Sequence, residues 1–108
     1  MLKKQFRLPG GQRLSALTSR RTPYVLLKIA RNDLPFSRFG FVIGKRTDKR
    51  ATERNRLRRA LVSMIDEKLV SIKTGYDMLF IVQAGAVGKT SSELRAHVLK
   101  ILTEETLL

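Results

Sequence analysis

The sequence predicts an α/β fold, an α+β sandwich in which helices pack on a small β-sheet, with the element order α-β-β-α-β-α. Three stretches, at residues 23–30, 39–44 and 76–83, are rich in the β-branched and aromatic residues that are typical of strands. Two further segments, beginning near residues 47 and 90, carry apolar residues at the spacing of an amphipathic helix.

The N-terminal 22 residues are basic and partly irregular. Pro9-Gly10-Gly11 interrupts them and leaves room for at most a short helix over residues 12–19. The first strand follows Pro23, and turn-forming residues at 32–35 separate it from the second strand at 39–44. We expect these two strands to pair as a hairpin.

A long helix is predicted after the second strand. Thr47 or Asp48 offers an N-cap, and the helix is expected to run to about Ile72, with Thr74-Gly75 stopping it. Its apolar residues fall on one side when plotted at a helical period: Leu57, Ala60, Leu61, Met64, Ile65 and Ile72.

The third strand, at residues 76–83, is almost continuously apolar and is therefore expected to lie in the centre of the sheet. Thr90 and Glu93 have the spacing of a capping box, which predicts the start of the last helix. The apolar stripe of that helix comprises Leu94, Val98, Ile101 and Leu102.

Composition limits the class of protein. A chain of 108 residues is expected to form one domain, residues 1–108, and 43% hydrophobic residues indicate a folded chain with a modest core. The chain contains no cysteine, which excludes disulfides and thiolate chemistry. No signal peptide or membrane span is recognisable, so a cytoplasmic location is expected.

The net charge of +13 is concentrated in one half of the chain. Residues 1–59 hold 17 basic and three acidic residues, a balance of +14, whereas residues 60–108 have a balance of −1. Eight of the basic residues lie between Lys45 and Arg59, on the first turns of the predicted long helix and just before them. Because no helix combines a lysine-rich face with a continuous apolar one, nucleic acid is a better partner than a membrane surface.

Residues for self-sufficient catalysis are not recognisable. The single histidine, His97, lies within the last helix and is expected to be a packing or boundary residue. No acidic cluster has the spacing that holds two magnesium ions. Gly88-Lys89-Thr90 resembles the end of a P-loop, but Gln83 stands where that motif requires glycine, so the segment is interpreted as a loop ending in a capping threonine.

Two segments resemble the signature of the bacterial ribonuclease P protein component: FGFVIGKR at residues 39–46 and ATERNRLRR at residues 51–59. In that family a strand ending in two basic residues leads into a helix that bears an Arg-Asn-Arg motif. Residues 75–82 and 93–95 also look like the final strand and helix of the family. The resemblance implies a ribonuclease P protein-like fold, similar to domain 2 of ribosomal protein S5.

The resemblance also implies a function. In this family a large RNA is the catalyst, and a small basic protein binds it, one protein per RNA. The holoenzyme, an endoribonuclease, removes the 5′ leader from precursor tRNA, and its magnesium is bound mainly by the RNA. No catalytic residue is therefore expected in this chain. A cleft between the sheet and the N-terminal helix takes the single-stranded leader.

Site residues follow from matching positions to the family motif. The residues expected to bind RNA are Lys45, Arg46, Lys49, Arg50, Arg54, Asn55, Arg56, Arg58 and Arg59. Arginine forks can engage phosphates, and an asparagine amide can contact a ribose hydroxyl or a base edge. The alternative is that Arg54 or Glu53 pairs within the helix rather than binding RNA. The residues expected to line the leader cleft are Leu14, Thr18, Val25, Leu27 and Lys28.

The chain departs from the family pattern at the cleft. Leu14, Thr18, Val25 and Leu27 stand where aromatic residues are usual, and Val62 stands where a basic residue is often found. Two alternatives to a ribonuclease P subunit remain: a structural RNA-binding protein of the ribosomal or RNA-chaperone type, and a helix-in-groove DNA binder. The second lacks a recognisable helix-turn-helix partner.

Overall fold

The computed structural model of the protein describes residues 2–9 and 18–108. It contains strands β1 (Thr18–Arg21), β2 (Val25–Arg31), β3 (Arg38–Val42) and β4 (Tyr76–Val82), with helices α1 (Ala51–Lys68) and α2 (Ser91–Glu104). Short 3-10 helices occupy Lys4–Phe6 and Ala84–Ala86. The predicted α/β class is confirmed. None of the helices in the part of the chain described is long and apolar enough to cross a membrane.

The four strands form one sheet in the order β1-β2-β4-β3. Strand β4 is antiparallel to β2 and parallel to β3, so the prediction that it is central is confirmed. The predicted hairpin between β2 and β3 is wrong, because β4 lies between them. Helix α1 connects β3 to β4, and Phe41 of β3 lies opposite Phe80 of β4 with the two rings stacked at a centroid distance of 5.4 Å.

Strand β1 was not predicted. Thr18 and Ser19, expected at the end of a short helix, instead pair with Ile29 and Lys28 of β2. The rest of that predicted helix, residues 12–17, lies outside the described residues. A tight turn joins β1 to β2, in which the hydroxyl oxygen of Thr22 accepts hydrogen bonds from the backbone N–H groups of residues 24 and 25.

His97 of α2 packs on this turn, as expected of a boundary residue. Its Nε2 lies 2.7 Å from Oγ1 of Thr22, and its ring centroid is 4.5 Å from that of Tyr24. Burial lowers the pKa of His97 below its ordinary value, and the nearby charge of Lys100 acts in the same direction. The imidazole is therefore a neutral packing group at neutral pH.

The core lies between one face of the sheet and the two helices. Alternate residues of β2 and β4 are buried on this face, and the predicted stripes of both helices pack against them. The buried sheet residues include Val25, Leu27, Ile29, Met78, Phe80 and Val82. The buried helical residues are Leu57, Ala60, Leu61, Met64, Ile65, Leu94, Val98, Ile101 and Leu102.

The ends of α1 differ from the prediction. The helix begins at Ala51, and its N-cap Arg50 makes no side-chain capping bond. Asp48 instead accepts a hydrogen bond from the backbone N–H of Arg50, so it stabilises the turn before the helix. The helix ends at Lys68, and Ile72 is buried in the turn that follows rather than on the helical stripe. The predicted cap of α2 is confirmed, since Thr90 accepts a hydrogen bond from the backbone N–H of Glu93.

Candidate nucleic-acid interface

The basic surface is carried by a turn that is anchored to the sheet. Residues 45–47 follow β3, and the carbonyl of Gly44 accepts a hydrogen bond of 3.0 Å from the N–H of Thr47. The hydroxyl of Thr47 donates to the carbonyl of Val82 at the end of β4. Because β3 and β4 are neighbours, this bond holds the turn, and the first turn of α1 after it, at one end of the sheet.

Six of the nine residues predicted to bind RNA are exposed and carry no ion-pair partner among the described residues: Lys45, Arg46, Lys49, Asn55, Arg58 and Arg59. Of these, only Arg58 makes a side-chain hydrogen bond within this part of the chain, a long one of 3.3 Å to the carbonyl of Phe41. These six residues, called the basic face below, lie on the anchored turn and the first turns of α1. Their polar groups are available to an external ligand.

Arg50 and Arg54 are engaged by the chain itself. Arg50 forms a forked pair with Asp48, and this partner holds the pKa of Asp48 at about 2, below its usual value. The Nη1 atom of Arg54 donates to the carbonyls of Asp48 and Lys49, at 2.9 Å each. Arg54 therefore caps the turn that precedes the helix, and its partners lie outside the helix within which the alternative placed them.

Arg56 forms an ion pair with Glu53, so the alternative of pairing within the helix holds for Glu53. Its Nε and Nη2 atoms each lie 2.7 Å from an oxygen of Glu53, one turn earlier on the same face. The Nη2 atom also donates to the carbonyl of Lys89 at 2.8 Å, and Glu53 accepts a hydrogen bond from the N–H of Gly88. This arrangement, called the Glu53–Arg56 clasp below, ties α1 to the loop between β4 and α2.

The loop held by the clasp is the segment that resembles a P-loop. Gly88 has a φ of +80°, in the left-handed region, and its N–H is already bonded to Glu53. A carboxylate of the protein thus occupies a donor that a phosphate would need. The interpretation of this segment as a loop ending in the capping Thr90 is confirmed.

The clasp predicts a specific acid dependence. Bonding to Arg56, and then to the N–H of Gly88, lowers the pKa of Glu53 from 4.5 to about 2 in the folded protein. A depressed folded pKa adds stability above pH 4.5, and that contribution is lost as the pH falls towards 2. We expect Glu53→Gln to lower the Tm at pH 6, and the difference from the parent protein to narrow between pH 4.5 and 2.

Thermal unfolding followed by circular dichroism from pH 2 to 6 measures this difference. Asp33→Asn, which neutralises an exposed carboxylate in the loop between β2 and β3 and keeps a side chain that tolerates the positive φ there, is the control. A Tm difference that stays constant over the whole range would show that the carboxylate of Glu53 is not bonded as described.

The residues predicted to line a leader cleft are not brought together. Val25 and Leu27 are 0% exposed and point into the core, so their assignment to a cleft is wrong. Lys28 projects from the opposite face of the sheet, as does its neighbour Leu79 on β4. Thr18 is exposed on the edge strand β1, and Leu14 lies outside the described residues.

A different groove adjoins the basic face. It lies between the N-terminal segment, β3 and α1, and its volume is about 790 Å³. Leu8, Phe41 and Val62 give it apolar walls, and Arg58 and Arg59 stand along it. Phe41 was missed as a site residue. Side chains alternate between the two faces of a strand, but the sequence of the strand does not say what covers each face until its neighbours are known.

Among the residues that the structure describes, no three histidine, aspartate or glutamate side chains lie close enough together to hold a metal ion. The acids near α1 are instead engaged with basic groups: Asp48 with Arg50, and Glu53 with Arg56. These residues do not fit a protein-borne magnesium site.

A sequence model of the family described as Ribonuclease P matches residues 12–105. The chain belongs to the ribonuclease P protein family. The match covers the anchored turn, the basic face and the clasp, so the resemblance drawn from residues 39–46 and 51–59 is confirmed.

Ribonuclease P protein components of several bacteria are similar in sequence. That of Synechococcus sp. (strain JA-2-3B'a(2-13)) is 40% identical over 72 residues, covering 67% of this chain and 54% of the relative. That of Dehalococcoides mccartyi (strain CBDB1) is 29% identical over 111 residues, covering 99% of this chain and 90% of the relative. The match to the Synechococcus protein thus spans about half of that protein's length.

Solved structures of ribonuclease P proteins share the fold. The Staphylococcus aureus protein superimposes with a TM-score of 0.76 at 18% identity, covering 83% of this chain and 82% of the other. The Thermotoga maritima protein gives a TM-score of 0.73 at 22% identity, covering 81% and 82%. At these levels of identity the superpositions show that the fold is shared.

Proposed function

We propose that this chain is the protein subunit of a bacterial ribonuclease P, which binds the catalytic RNA and assists the magnesium-dependent removal of the 5′ leader from precursor tRNA. The observation that carries the proposal is the basic face: six residues whose polar groups have no ion-pair partner among the described residues, on a turn bonded to the sheet. Family membership supports the choice of RNA as the partner.

In this proposal the chain contributes positive charge and positions the RNA, and the catalytic groups belong to the RNA. Two large RNAs must approach each other, and their phosphates repel. A cluster of guanidinium and ammonium groups offsets this repulsion and releases condensed counterions. Because the turn is held by Thr47 and the first helical turn by the Glu53–Arg56 clasp, little backbone conformational entropy is lost when these side chains meet phosphate.

The groove beside the basic face is the proposed path of the leader. Its walls at Phe41 and Val62 offer apolar contact to bases, and Arg58 and Arg59 offer contact to phosphates. An exposed ring edge or face can stack on a base without regard to its identity, so we expect little sequence preference. This path replaces the one predicted through Val25 and Leu27.

Magnesium belongs to the RNA in this proposal. As the family resemblance implies, RNA groups would hold the ion, which would supply nucleophile activation and charge stabilisation for phosphodiester hydrolysis. The protein orients the leader and neutralises phosphates near the scissile bond.

Reconstitution tests the proposal. We expect the protein to lower the magnesium concentration at which a bacterial ribonuclease P RNA cleaves precursor tRNA at the 5′ end of the mature sequence. The reason is that its cations replace part of the ionic screening. The measurement is the single-turnover cleavage rate over a magnesium titration, with and without protein, together with a reaction that lacks the RNA.

Two outcomes would contradict the proposal. A magnesium dependence that the protein leaves unchanged, although it binds the RNA, would favour the structural RNA-binding alternative. Correct 5′ cleavage by nuclease-free protein without RNA would place the active site in the chain. A protein in which Lys100→Ala removes one exposed charge from α2 controls for general charge effects.

A further inference from the structure

The far end of α1 carries a second basic surface. At about 1.5 Å per residue, the 18 residues of the helix separate its two ends by about 27 Å. Three segments meet at the C-terminal end, residues 2–6, 31–36 and 68–76. They contain five exposed basic residues and one exposed acid, Asp33. The basic residues are Lys3, Lys4, Arg31, Lys68 and Lys73.

An apolar pocket lies between these segments. Its volume is about 350 Å³, and Phe6, Phe36 and Leu69 line it. The rings of Phe6 and Phe36 meet edge to face with centroids 5.8 Å apart. The side chain of Val70, at the rim, is 100% exposed. Such a cavity accepts a flat ring system, and its lining contains no charged group.

Three exposed lysines are sequence neighbours of the residues that line the pocket. Lys4 directly precedes the lining residues 5 and 6, while Lys68 and Lys73 bracket the lining residues 69, 70 and 72. Aromatic rings surrounded by flexible cations suit single-stranded nucleic acid, in which an unstacked base and its flanking phosphates are presented together. A second copy of this chain fits poorly, since each copy would bring the same five cations to the contact.

We propose that this pocket, called the far pocket below, is a second RNA site that takes one unpaired nucleobase of a single strand, with the lysines holding the adjacent phosphates. The choice of RNA as the partner rests on the proposed function. The position of this second site and its requirement for an unpaired base go beyond that function. An RNA that engages both surfaces would span the length of α1, with an unpaired nucleotide about 27 Å from the helix start.

Amide chemical shifts test the far pocket separately from the basic face. The full chain, labelled with ¹⁵N, is titrated with single-stranded octauridylate and with a blunt-ended RNA duplex. We expect the amides of Val70 and Thr74 to shift with the single strand only, because a duplex offers no free base. The amides of Asn55 and Arg59 should shift with both probes.

Phe36→Leu keeps the apolar bulk and removes the ring. This substitution should raise the apparent Kd for the single strand, measured at the amide of Val70, about tenfold. The apparent Kd measured at the amide of Asn55 should not change. Lys73→Gln does not alter the core and is the second variant. It should make the dependence of the single-strand affinity on salt, measured at the amide of Val70, shallower by about 0.7 in log–log slope.

Each result decides one question. If Asn55 responds and Val70 does not, the far pocket is not an RNA site and the proposed function stands. If Val70 responds and Asn55 does not, the far pocket stands and the basic face is wrong. A response of Val70 to an octaglutamate peptide equal to that for RNA would show charge attraction without base recognition, and would overturn the proposal.

Discussion

Replacing Arg58 and Arg59 together by alanine should weaken binding to a ribonuclease P RNA by about 100-fold at moderate salt. Charge-assisted hydrogen bonds contribute about 1.5–3 kcal/mol each, and both guanidinium groups are exposed at the surface. The log–log salt dependence of the affinity should become shallower by almost two, since two phosphate contacts are lost. Filter binding over a range of potassium concentrations measures both quantities.

Arg56→Ala is the matched comparison, because it removes an arginine of the same helix whose guanidinium is already bound. It should lower the Tm through loss of the Glu53–Arg56 clasp and leave the salt slope close to that of the parent protein. The opposite pattern, with Arg56 controlling the slope and the Arg58–Arg59 pair controlling the Tm, would reverse the assignment of the basic face.

Gly85→Ala should strongly destabilise the protein, because it places a new atom against the backbone of the β1–β2 turn. A Cβ atom at this position would lie 2.3 Å from the carbonyl oxygen of Pro23 and 3.0 Å from its carbonyl carbon. Backbone in the β1–β2 turn cannot move without disturbing the bond between the N–H of Gln83 and the carbonyl of Tyr24. We expect a loss of about 3 kcal/mol and a Tm lower by more than about 10 °C.

Gly44→Ala provides the control for this experiment. No heavy atom lies within 4 Å of a Cβ built at Gly44, so this substitution should leave the Tm nearly unchanged. Differential scanning calorimetry of the two variants gives the comparison. Equal Tm values would mean that residues 84–86 do not pack on the β1–β2 turn as described.

Local patterns in the sequence were sufficient to predict most of the helices and strands. The strand-forming residues of β2, the continuous apolar run of β4 and the capping residues of α2 each depend on neighbours within a few positions. Strand β1 escaped prediction because its sequence, TSRR, has no apolar residue, and only pairing with β2 makes it a strand. The pairing of β3 with β4 depends on contacts across the length of α1, which no local pattern contains.

The basic segment, residues 45–59, could be located from the sequence. Which of its arginines are bonded within the chain, and which are not, could not be predicted. Arg54, Arg56 and Arg59 are equivalent by composition and differ only in what lies beside them. Arg56 meets Lys89 because the chain returns through β4 to that side of the helix. The side chains of Val25 and Leu27 were placed on the wrong face of their strand for the same reason. Which face of the sheet the helices cover is determined by the order and connection of the strands, not by the sequence of any one strand.

The strand order also determines when the sheet can form during synthesis on the ribosome. β2 and β3 are complete by residue 42, but they touch each other only through β4, whose last residue is 82. Until β4 has left the exit tunnel, the nascent chain carries 19 of its 22 basic residues without the strand that joins the two halves of the sheet. The clasp needs residues 88 and 89 as well. The arrangement of the arginines is therefore among the last features of the molecule to be established.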